Sequence, residues 1–322
     1  FALMVIISVV IFLIRRNIIK IKRFWSDEMK GWPKTDADVI LYVEIALMSL
    51  FLTMNASDYW LQINSTNPIY IQAGSFPISQ FITPIFDSFT VETVIFIERS
   101  AWWLHIIGIF LFLNYLYYSK HLHILLAFPN TYFANLESKG KFSNLKSVTD
   151  EVKLMLDPSA DPYSNNTSNN EVLKFGASDV FDLSKIQLLN SYTCTECGRC
   201  TSECPANQTG KKLSPRKIMM DTRDRLEEVG KNIDKNNGEY KPDGKQLLNN
   251  HISSEELWAC TSCNACVQAC PIGIDPLSII MDMRRYLVME QSAAPSELNN
   301  MMSNIENNGA PWPFNQMDKL NW

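Results

Sequence analysis

Apolar and polar positions are distributed unevenly along this chain, with long apolar runs in the first 130 residues and a more polar pattern after them. The apolar runs cover residues 1–14, 39–57 and 101–118. A helix needs about 20 such residues to cross the hydrocarbon core of a bilayer. The first run is shorter and begins at Phe1 rather than at Met, so we expect it to be the end of a longer span. The pattern therefore predicts a transmembrane helical bundle in residues 1–130.

Basic residues lie on one side of the predicted spans. Five of them follow the first run directly, namely Arg15, Arg16, Lys20, Lys22 and Arg23. No Lys or Arg occurs between Lys34 and Arg99. Because Lys and Arg are enriched in cytoplasmic loops, residues 61–90 should lie outside the cytoplasm and the chain from Ser119 onward should lie inside. This predicts a multi-pass protein of the inner (cytoplasmic) membrane whose second half is cytoplasmic.

Composition excludes several classes of protein. The 322 residues are 46% hydrophobic and 20% charged, with a net charge of -5. A disordered chain would have fewer apolar residues, and a nucleic-acid-binding protein would carry a basic surface, so we expect no nucleic acid as a partner.

The polar residues 157–170 have no periodic pattern and predict an exposed connection. We expect a membrane part (1–130), a linker (131–190), a cysteine-rich domain (191–290) and a partner-docking tail (291–322).

All eight cysteines fall in two runs of the form Cys-x2-Cys-x2-Cys-x3-Cys-Pro. The first run contains Cys194, Cys197, Cys200 and Cys204, and the second contains Cys260, Cys263, Cys266 and Cys270. This is the bacterial ferredoxin-type pattern for [4Fe–4S] clusters, in which the fourth cysteine ligates the other cluster. We therefore predict one cluster on Cys194, Cys197, Cys200 and Cys270. The other is predicted on Cys260, Cys263, Cys266 and Cys204.

Zinc and disulfides are the alternatives for these cysteines. Structural zinc sites take separated cysteine pairs rather than a tight triple, and disulfides are rare in the cytoplasm. The repeat also continues past the cysteines, because Ser214-Pro215 and Asp275-Pro276 each predict an N-cap followed by a helix. Gly230 predicts the end of the first of these helices. The expected fold is mainly α, a transmembrane helical bundle followed by an α-helical ferredoxin-like dicluster domain.

Histidines in the third apolar segment predict haem ligation. We expect one helix to run through this segment to about Pro129, so that His105 and His123, 18 residues apart, share a face about 27 Å apart. Neutral imidazole is a common axial ligand of haem iron, which predicts two b-type haems, with Gly108 leaving room for a macrocycle. His121 would lie on nearly the opposite face, as a polar side chain at the membrane edge. The second axial ligands would come from an earlier segment or from another subunit.

Glu44 lies a short way into the second span. It could carry protons for a quinone, or it could be a carboxylate near a helix end that reaches cytoplasmic water. We favour the second interpretation, because a carboxylate near the end of a span reaches the interface at low cost.

The stretch from Trp102-Trp103-Leu104-His105 to Ser119-Lys120-His121-Leu122-His123 resembles the last haem-binding helix of the nitrate reductase gamma-subunit family. The resemblance covers about 30 residues. It implies two haems b and a menaquinol site near one of them, with the other two histidine ligands on an earlier helix.

The cysteine runs read Cys194-Thr-Glu-Cys197-Gly-Arg-Cys200 and Cys260-Thr-Ser-Cys263-Asn-Ala-Cys266. They resemble the iron–sulfur domain of membrane-bound heterodisulfide reductase and of the glycolate oxidase and glycerol-3-phosphate dehydrogenase iron–sulfur subunits. The tail from Asn308 to Trp322 resembles the segment that leads to a CCG domain in those proteins, which implies a separate CCG-domain iron–sulfur subunit as a partner.

Together these resemblances imply a respiratory electron-transfer subunit that passes electrons between menaquinone, haems b, two [4Fe–4S] clusters and a cytoplasmic partner. One alternative is a subunit of an electron-transfer flavoprotein:menaquinone oxidoreductase, which would present the same motifs. Another is a non-catalytic electron wire or anchor in a larger membrane complex.

Overall fold

A computed structural model describes residues 1–138, 141–157, 174–314 and 317. Most of the predicted exposed connection (158–170) and the end of the predicted tail (315–316 and 318–322) lie outside the described residues. The described residues are mainly helical and contain no β-strand. Leu248 and Ile252 form one isolated β-bridge within this described part.

Fourteen α-helical segments are described along the chain. They are α1 Ala2–Leu13, α2 Trp32–Asn64, α3 Val91–Leu116, α4 His123–Tyr132, α5 Lys146–Leu156, α6 Lys185–Thr193, α7 Arg199–Ser202, α8 Pro205–Gln208, α9 Pro215–Lys235, α10 Leu247–Asn250, α11 Ser254–Ala259, α12 Ala265–Ala269, α13 Pro276–Met289 and α14 Ser296–Asn308. Short π- or 3-10-helical turns lie at Ile14–Ile18, Lys22–Phe24, Asp27–Met29, Ser79–Phe81, Thr83–Ser88, Lys120–Leu122 and Val180–Asp182.

The chain divides into two compact units. The first unit comprises Phe1–Tyr132 together with Tyr192–Gly198, so it includes the beginning of the first cysteine run. The second unit comprises Phe133–Ser191 and Arg199–Trp322.

Two helices of the first unit, α2 and α3, are long and apolar enough to cross a membrane. They contain 33 and 26 residues, against the roughly 20 that a span requires. Only 17% of the most apolar window of each helix is buried inside the protein. A core helix of a water-soluble protein would bury most of such a window, so these apolar surfaces suit a lipid environment. The helix α1 has 12 described residues, and the prediction that it ends a longer span stays a prediction.

An apolar cluster joins α2 and α3 at one end. It is formed by Ala56, Trp60, Leu61, Phe86 and Val94. The indole N–H of Trp60 donates to the carboxylate of Asp87 over 2.8 Å, which ties α2 to the turn before α3.

Further along, α2 and α3 approach each other closely at Gly108. A Cβ atom at this glycine would lie 2.7 Å from Cδ2 of Leu47. The space beside Gly108 is therefore occupied by Leu47, and the expectation that this glycine leaves room for a macrocycle is wrong.

The predicted continuous helix through His123 is also wrong, because α3 ends at Leu116 and the chain turns before α4 begins. Ser119 has an extended backbone (φ -108°, ψ 152°). The buried carboxylate of Asp36 is the physical reason. It accepts hydrogen bonds from the Tyr115 hydroxyl, the Ser119 hydroxyl and the backbone N–H of Lys120. A buried carboxylate needs such donors, and an uninterrupted helix would not offer a backbone N–H. The helical distance of about 27 Å between His105 and His123 therefore does not apply.

The second unit is built on a repeated helix start. The Ser214 side chain accepts the N–H of Lys217 at the start of α9, and Asp275 accepts the N–H of Ser278 at the start of α13. Each helix begins with Pro at its first position, as the sequence predicts. Buried residues of α9 and α13 include Ile218, Met219, Ile279 and Met283.

The helix α9 continues through Gly230 to Lys235, so the predicted stop at this glycine is wrong. A glycine inside a helix costs about 1 kcal/mol relative to alanine. Contacts on both sides offset this cost, because Val229 is buried and Asn232 hydrogen-bonds to the backbone of Lys241.

The polar segment after α9 folds over the buried guanidinium of Arg225. This side chain is 0% exposed. It donates to both carboxylate oxygens of Asp179, to both of Asp243 and to the carbonyl oxygen of Lys245. One side chain of α9 thus holds both the segment before α6 and the segment after α9.

Candidate redox centres

The two cysteine runs have the same backbone conformation at equivalent positions. Glu196 and Gly198, two and four residues after the first cysteine, have φ values of 58° and 73°. Ser262 and Asn264, at the same offsets in the second run, have φ values of 56° and 59°. This left-handed region is uncommon for residues other than glycine, asparagine and aspartate. Because these φ values recur at equivalent positions, the two runs form two separate loops with the same local backbone conformation.

The fourth cysteine of each run is extended. Cys204 (φ -77°, ψ 117°) precedes Pro205, and Cys270 (φ -82°, ψ 120°) precedes Pro271. A residue before proline is disfavoured in the helical region, so the proline favours the extended backbone of the fourth cysteine in both runs.

Thiols from the two runs lie close enough to interact electrostatically in the second unit. Burial raises the pKa of the Cys260 thiol, and Cys204 from the first run and Cys263 from the second both raise it further. The same is true of Cys266, whose pKa is raised by burial and then by Cys200 and Cys260. Crowded, buried thiolates need a compensating positive charge, and cluster iron supplies it.

No three His, Cys, Asp or Glu side chains in the described part of the chain converge as ligands of one metal ion would. A [4Fe–4S] cluster does not require such convergence, because each cysteine binds its own iron atom.

Arg284 supports the second loop, and sequence reasoning did not identify it. Its guanidinium donates to the carbonyl oxygens of Leu257 (2.6 Å) and Cys260 (2.5 Å) and lies 4.9 Å from the ring centre of Trp258. It also donates to the hydroxyl of Ser262 over 3.3 Å. The only sequence signal for this role is its place on α13, whose apolar face packs in the domain core.

The two histidines predicted as haem ligands share one geometry. Nδ1 of His105 lies 2.9 Å from the carbonyl oxygen of Leu47, and Nδ1 of His123 lies 2.8 Å from that of Lys120. A carbonyl oxygen only accepts, so Nδ1 is the donor in both hydrogen bonds, and a neutral imidazole of this tautomer has its lone pair on Nε2. Metal-ligating histidines are commonly held in this way by a carbonyl on the other ring nitrogen. Both residues therefore fit a haem ligand in their tautomer and orientation.

A cavity of about 360 Å³ lies in the first unit and is of a size that holds small molecules. Its polar lining includes Arg15, Glu44, Lys120, His121, His123 and Thr195, and apolar side chains such as Phe12 and Ile40 complete it. Glu44 thus lines a cavity that two histidines also line, and the alternative that it carries protons for a quinone stays a prediction.

The prediction that His121 lies on nearly the opposite face from His123 is wrong. The two rings are 5.8 Å apart between centroids, because the turn at Ser119 brings both to the same cavity. Burial lowers the pKa of His121, and the neighbouring His123 lowers it further, which favours the neutral imidazole. Side chains two residues apart on a helix point to different faces. The sequence pattern therefore could not indicate that His121 and His123 lie side by side.

Comparison with known proteins identifies the cysteine-rich region. Residues 193–274 match the family described as 4Fe-4S dicluster domain. The chain carries a [4Fe–4S] dicluster domain. Its eight cysteines hold two [4Fe–4S] clusters, as the sequence predicts.

Curated relatives extend the similarity toward the N-terminus. The probable iron-sulfur-binding oxidoreductase FadF of Bacillus subtilis is 32% identical over an alignment 253 positions long, which covers 69% of this chain and 33% of the relative. The EtfAB:quinone oxidoreductase of Syntrophomonas wolfei is 27% identical over an alignment 303 positions long, which covers 88% of this chain and 39% of the relative. A probable membrane-anchored ferredoxin of Chromohalobacter salexigens is 32% identical over an alignment 165 positions long, which covers 46% of this chain and 24% of the relative.

The chain spans between a third and two fifths of the length of the first two relatives. It is an iron–sulfur electron-transfer protein related to these oxidoreductases and to heterodisulfide reductase subunits. No solved structure matches it. Neither the matching family nor these relatives is named as a cytochrome b, so the resemblance to the nitrate reductase gamma family stays a prediction.

Proposed function

We propose that this chain is a membrane-bound respiratory subunit that passes single electrons between menaquinone and a cytoplasmic partner through its two clusters. One observation carries the proposal: a single chain joins helices long and apolar enough to cross a membrane to a region with eight cluster-binding cysteines. Quinones dissolve in the lipid, whereas clusters carry single electrons at the polar surface. The relative named EtfAB:quinone oxidoreductase, which aligns with 88% of this chain, supports the quinone as a substrate.

We propose that His105 and His123 each bind a haem b. The Nδ1 hydrogen bonds of both residues support this, because they leave Nε2 available for iron. When bound, the haems supply a one-electron couple inside the membrane part. The cavity beside His123 supports the second site, since it combines apolar walls with cationic side chains such as Arg15 that suit the carboxylates of a haem.

Several residues of the first unit have roles that do not depend on the haem itself. The carbonyl oxygens of Leu47 and Lys120 orient the two imidazoles, and the buried Asp36 holds the turn that carries His121 and His123. The apolar surfaces of α2 and α3 keep this region in the lipid and away from water.

Two partners are proposed for the cytoplasmic side. The resemblance to heterodisulfide reductase favours a separate CCG-domain iron–sulfur subunit. The EtfAB:quinone oxidoreductase relative favours electron-transfer flavoprotein as the electron donor, and this is the second candidate function. Co-purification of the native complex separates them, because the first yields a cysteine-rich iron–sulfur subunit and the second yields a flavoprotein.

The test is an optical and EPR inventory of the purified full-length protein under anaerobic conditions. We expect two [4Fe–4S] clusters and two low-spin haems b. His105→Ala should remove one haem and retain both clusters. The control Tyr118→Phe changes an exposed side chain and should retain both haems and both clusters. A haem content that is unchanged by His105→Ala would refute haem ligation by this residue, and a colourless protein would refute the whole proposal.

Catalysis is tested separately with a soluble menaquinol analogue. Reduction of the clusters by the quinol supports a quinone-linked enzyme subunit. Full cofactor content without any reaction would instead favour the non-catalytic wire or anchor.

A further inference from the structure

A buried ion pair connects the first cysteine run to the turn between α3 and α4. Nζ of Lys120 lies 2.5 Å from Oε2 of Glu196, and the two side chains are only 9% and 2% exposed. Glu196 lies between Cys194 and Cys197, in the left-handed position described above. The equivalent position in the second run is Ser262, so this acidic residue distinguishes the first loop from the second.

Lys120 is itself held by several groups of the first unit. Its ammonium also donates to the carbonyl oxygen of Pro33, and its backbone N–H donates to Asp36. Its carbonyl oxygen accepts from Nδ1 of His123. One residue therefore contacts α2, a predicted haem ligand and the loop that holds two cluster-binding cysteines.

The neighbouring residue of the loop, Thr195, lines the cavity that His121 and His123 also line. All of these residues belong to the first unit, which includes Tyr192–Gly198. A redox group in this cavity would thus lie beside the first cysteine loop.

We propose that the cluster bound by Cys194 and Cys197 is the one that exchanges electrons with the membrane part. Lys120 is a positioning residue that sets the reduction potential of this cluster. This inference rests on the proposed function, since it orders the path of the electrons. Glu196 places a negative charge within the cluster loop, which would stabilise the oxidised cluster. The ammonium of Lys120 compensates this charge in a buried setting where screening by solvent is weak.

Stability alone does not account for the pair. Desolvating two charges is costly, and apolar residues of similar size are often at least as stable in such positions. Glu196 also occupies a backbone conformation that is uncommon for glutamate. An effect on the potential of the adjacent cluster accounts for a charged pair at this place.

The experiment compares full-length Lys120→Met, Glu196→Gln and the double variant by EPR-monitored redox titration. Lys120→Met removes a positive charge beside the Glu196 carboxylate, so the first cluster should shift to a more negative potential. Glu196→Gln removes a negative charge from the cluster loop and keeps the Lys120 ammonium, so it should shift the same cluster in the positive direction. The double variant should return close to the wild-type potential, and the second cluster should stay unchanged in all three.

Controls separate this effect from general damage. Lys141→Met removes the same charge from an exposed ion pair with Glu137 and should leave both potentials unchanged. Lys120→Arg keeps the charge and should stay near the wild-type potential. The signal of the first cluster is identified as the one that is altered in Cys197→Ser.

Shifts of the same sign in Lys120→Met and Glu196→Gln, no shift in either, or a shift of the second cluster would overturn the inference. If Lys120→Met does not assemble its clusters, the sign of the shift in Glu196→Gln decides. These outcomes differ from a failure of the proposed function, in which the wild-type protein would itself lack the clusters or would not exchange electrons with quinol.

Discussion

Replacing Arg225 by methionine should destabilise the second unit by about 3–4 kcal/mol, because it removes one partner of a buried ion pair. The guanidinium is 0% exposed and binds Asp179 with two bonds of 3.0 and 2.9 Å. It also binds Asp243 with bonds of 2.6 and 3.1 Å. Without it, Asp179 would stay buried with an uncompensated charge, whereas the more exposed Asp243 could regain water.

The magnitude follows from this difference in burial. Breaking a fully buried pair costs about 3–5 kcal/mol, and a partner that reaches solvent lowers the cost. Asp179 is 12% exposed and Asp243 is 22% exposed, so most of the penalty should come from Asp179. Asp179→Asn in the Arg225→Met background should therefore recover part of the loss, with a coupling energy of about 1.5–3 kcal/mol.

The assay is urea unfolding of the detergent-solubilised full-length protein under anaerobic conditions, followed by the visible absorbance of the clusters. Lys231→Met is the matched control, because Lys231 lies on the same helix with a side chain that is 78% exposed. It should change the stability by less than about 0.5 kcal/mol. A loss below about 1 kcal/mol for Arg225→Met, or full additivity with Asp179→Asn, would refute the role assigned to this network.

Further predictions concern the clusters and the pH dependence of stability. Cys204→Ser should alter the EPR signal of the cluster bound by Cys260, and an effect confined to the cluster of its own run would contradict crossed ligation. Arg284→Met should speed the loss of the second cluster in air, measured as bleaching, while the first cluster bleaches at the wild-type rate; equal acceleration of both would contradict a local role. Burial raises the pKa of Asp221 to about 6. The folded protein therefore keeps a proton that the unfolded chain releases near pH 4, so stability should fall as pH rises from about 4 to about 6, by at most about 1.4 kcal/mol per pH unit. Asp221→Asn should remove this part of the slope in urea titrations at about pH 5 and about pH 7, and an unchanged slope would contradict it.

The sequence by itself determined the features that depend on local chemistry. Cysteine spacing and the proline after each run specify the two cluster loops, because backbone sterics act between neighbouring residues. The starts of α9 and α13 were predictable for the same reason, since an N-cap and a proline act within one turn. Apolar length alone indicated α2 and α3 as helices that could cross a membrane.

Tertiary structure decided the features that depend on residues far apart in the chain. The break after Leu116 follows from Asp36, which binds the hydroxyl of Ser119 from 83 positions away. Such a contact leaves no periodic trace in the sequence, so the uninterrupted helix was the natural expectation. The same turn brings His121 beside His123. The pairing of Lys120 with Glu196 likewise joins segments 76 positions apart. A buried charge must find its partner in three dimensions, and only the folded chain shows where that partner lies.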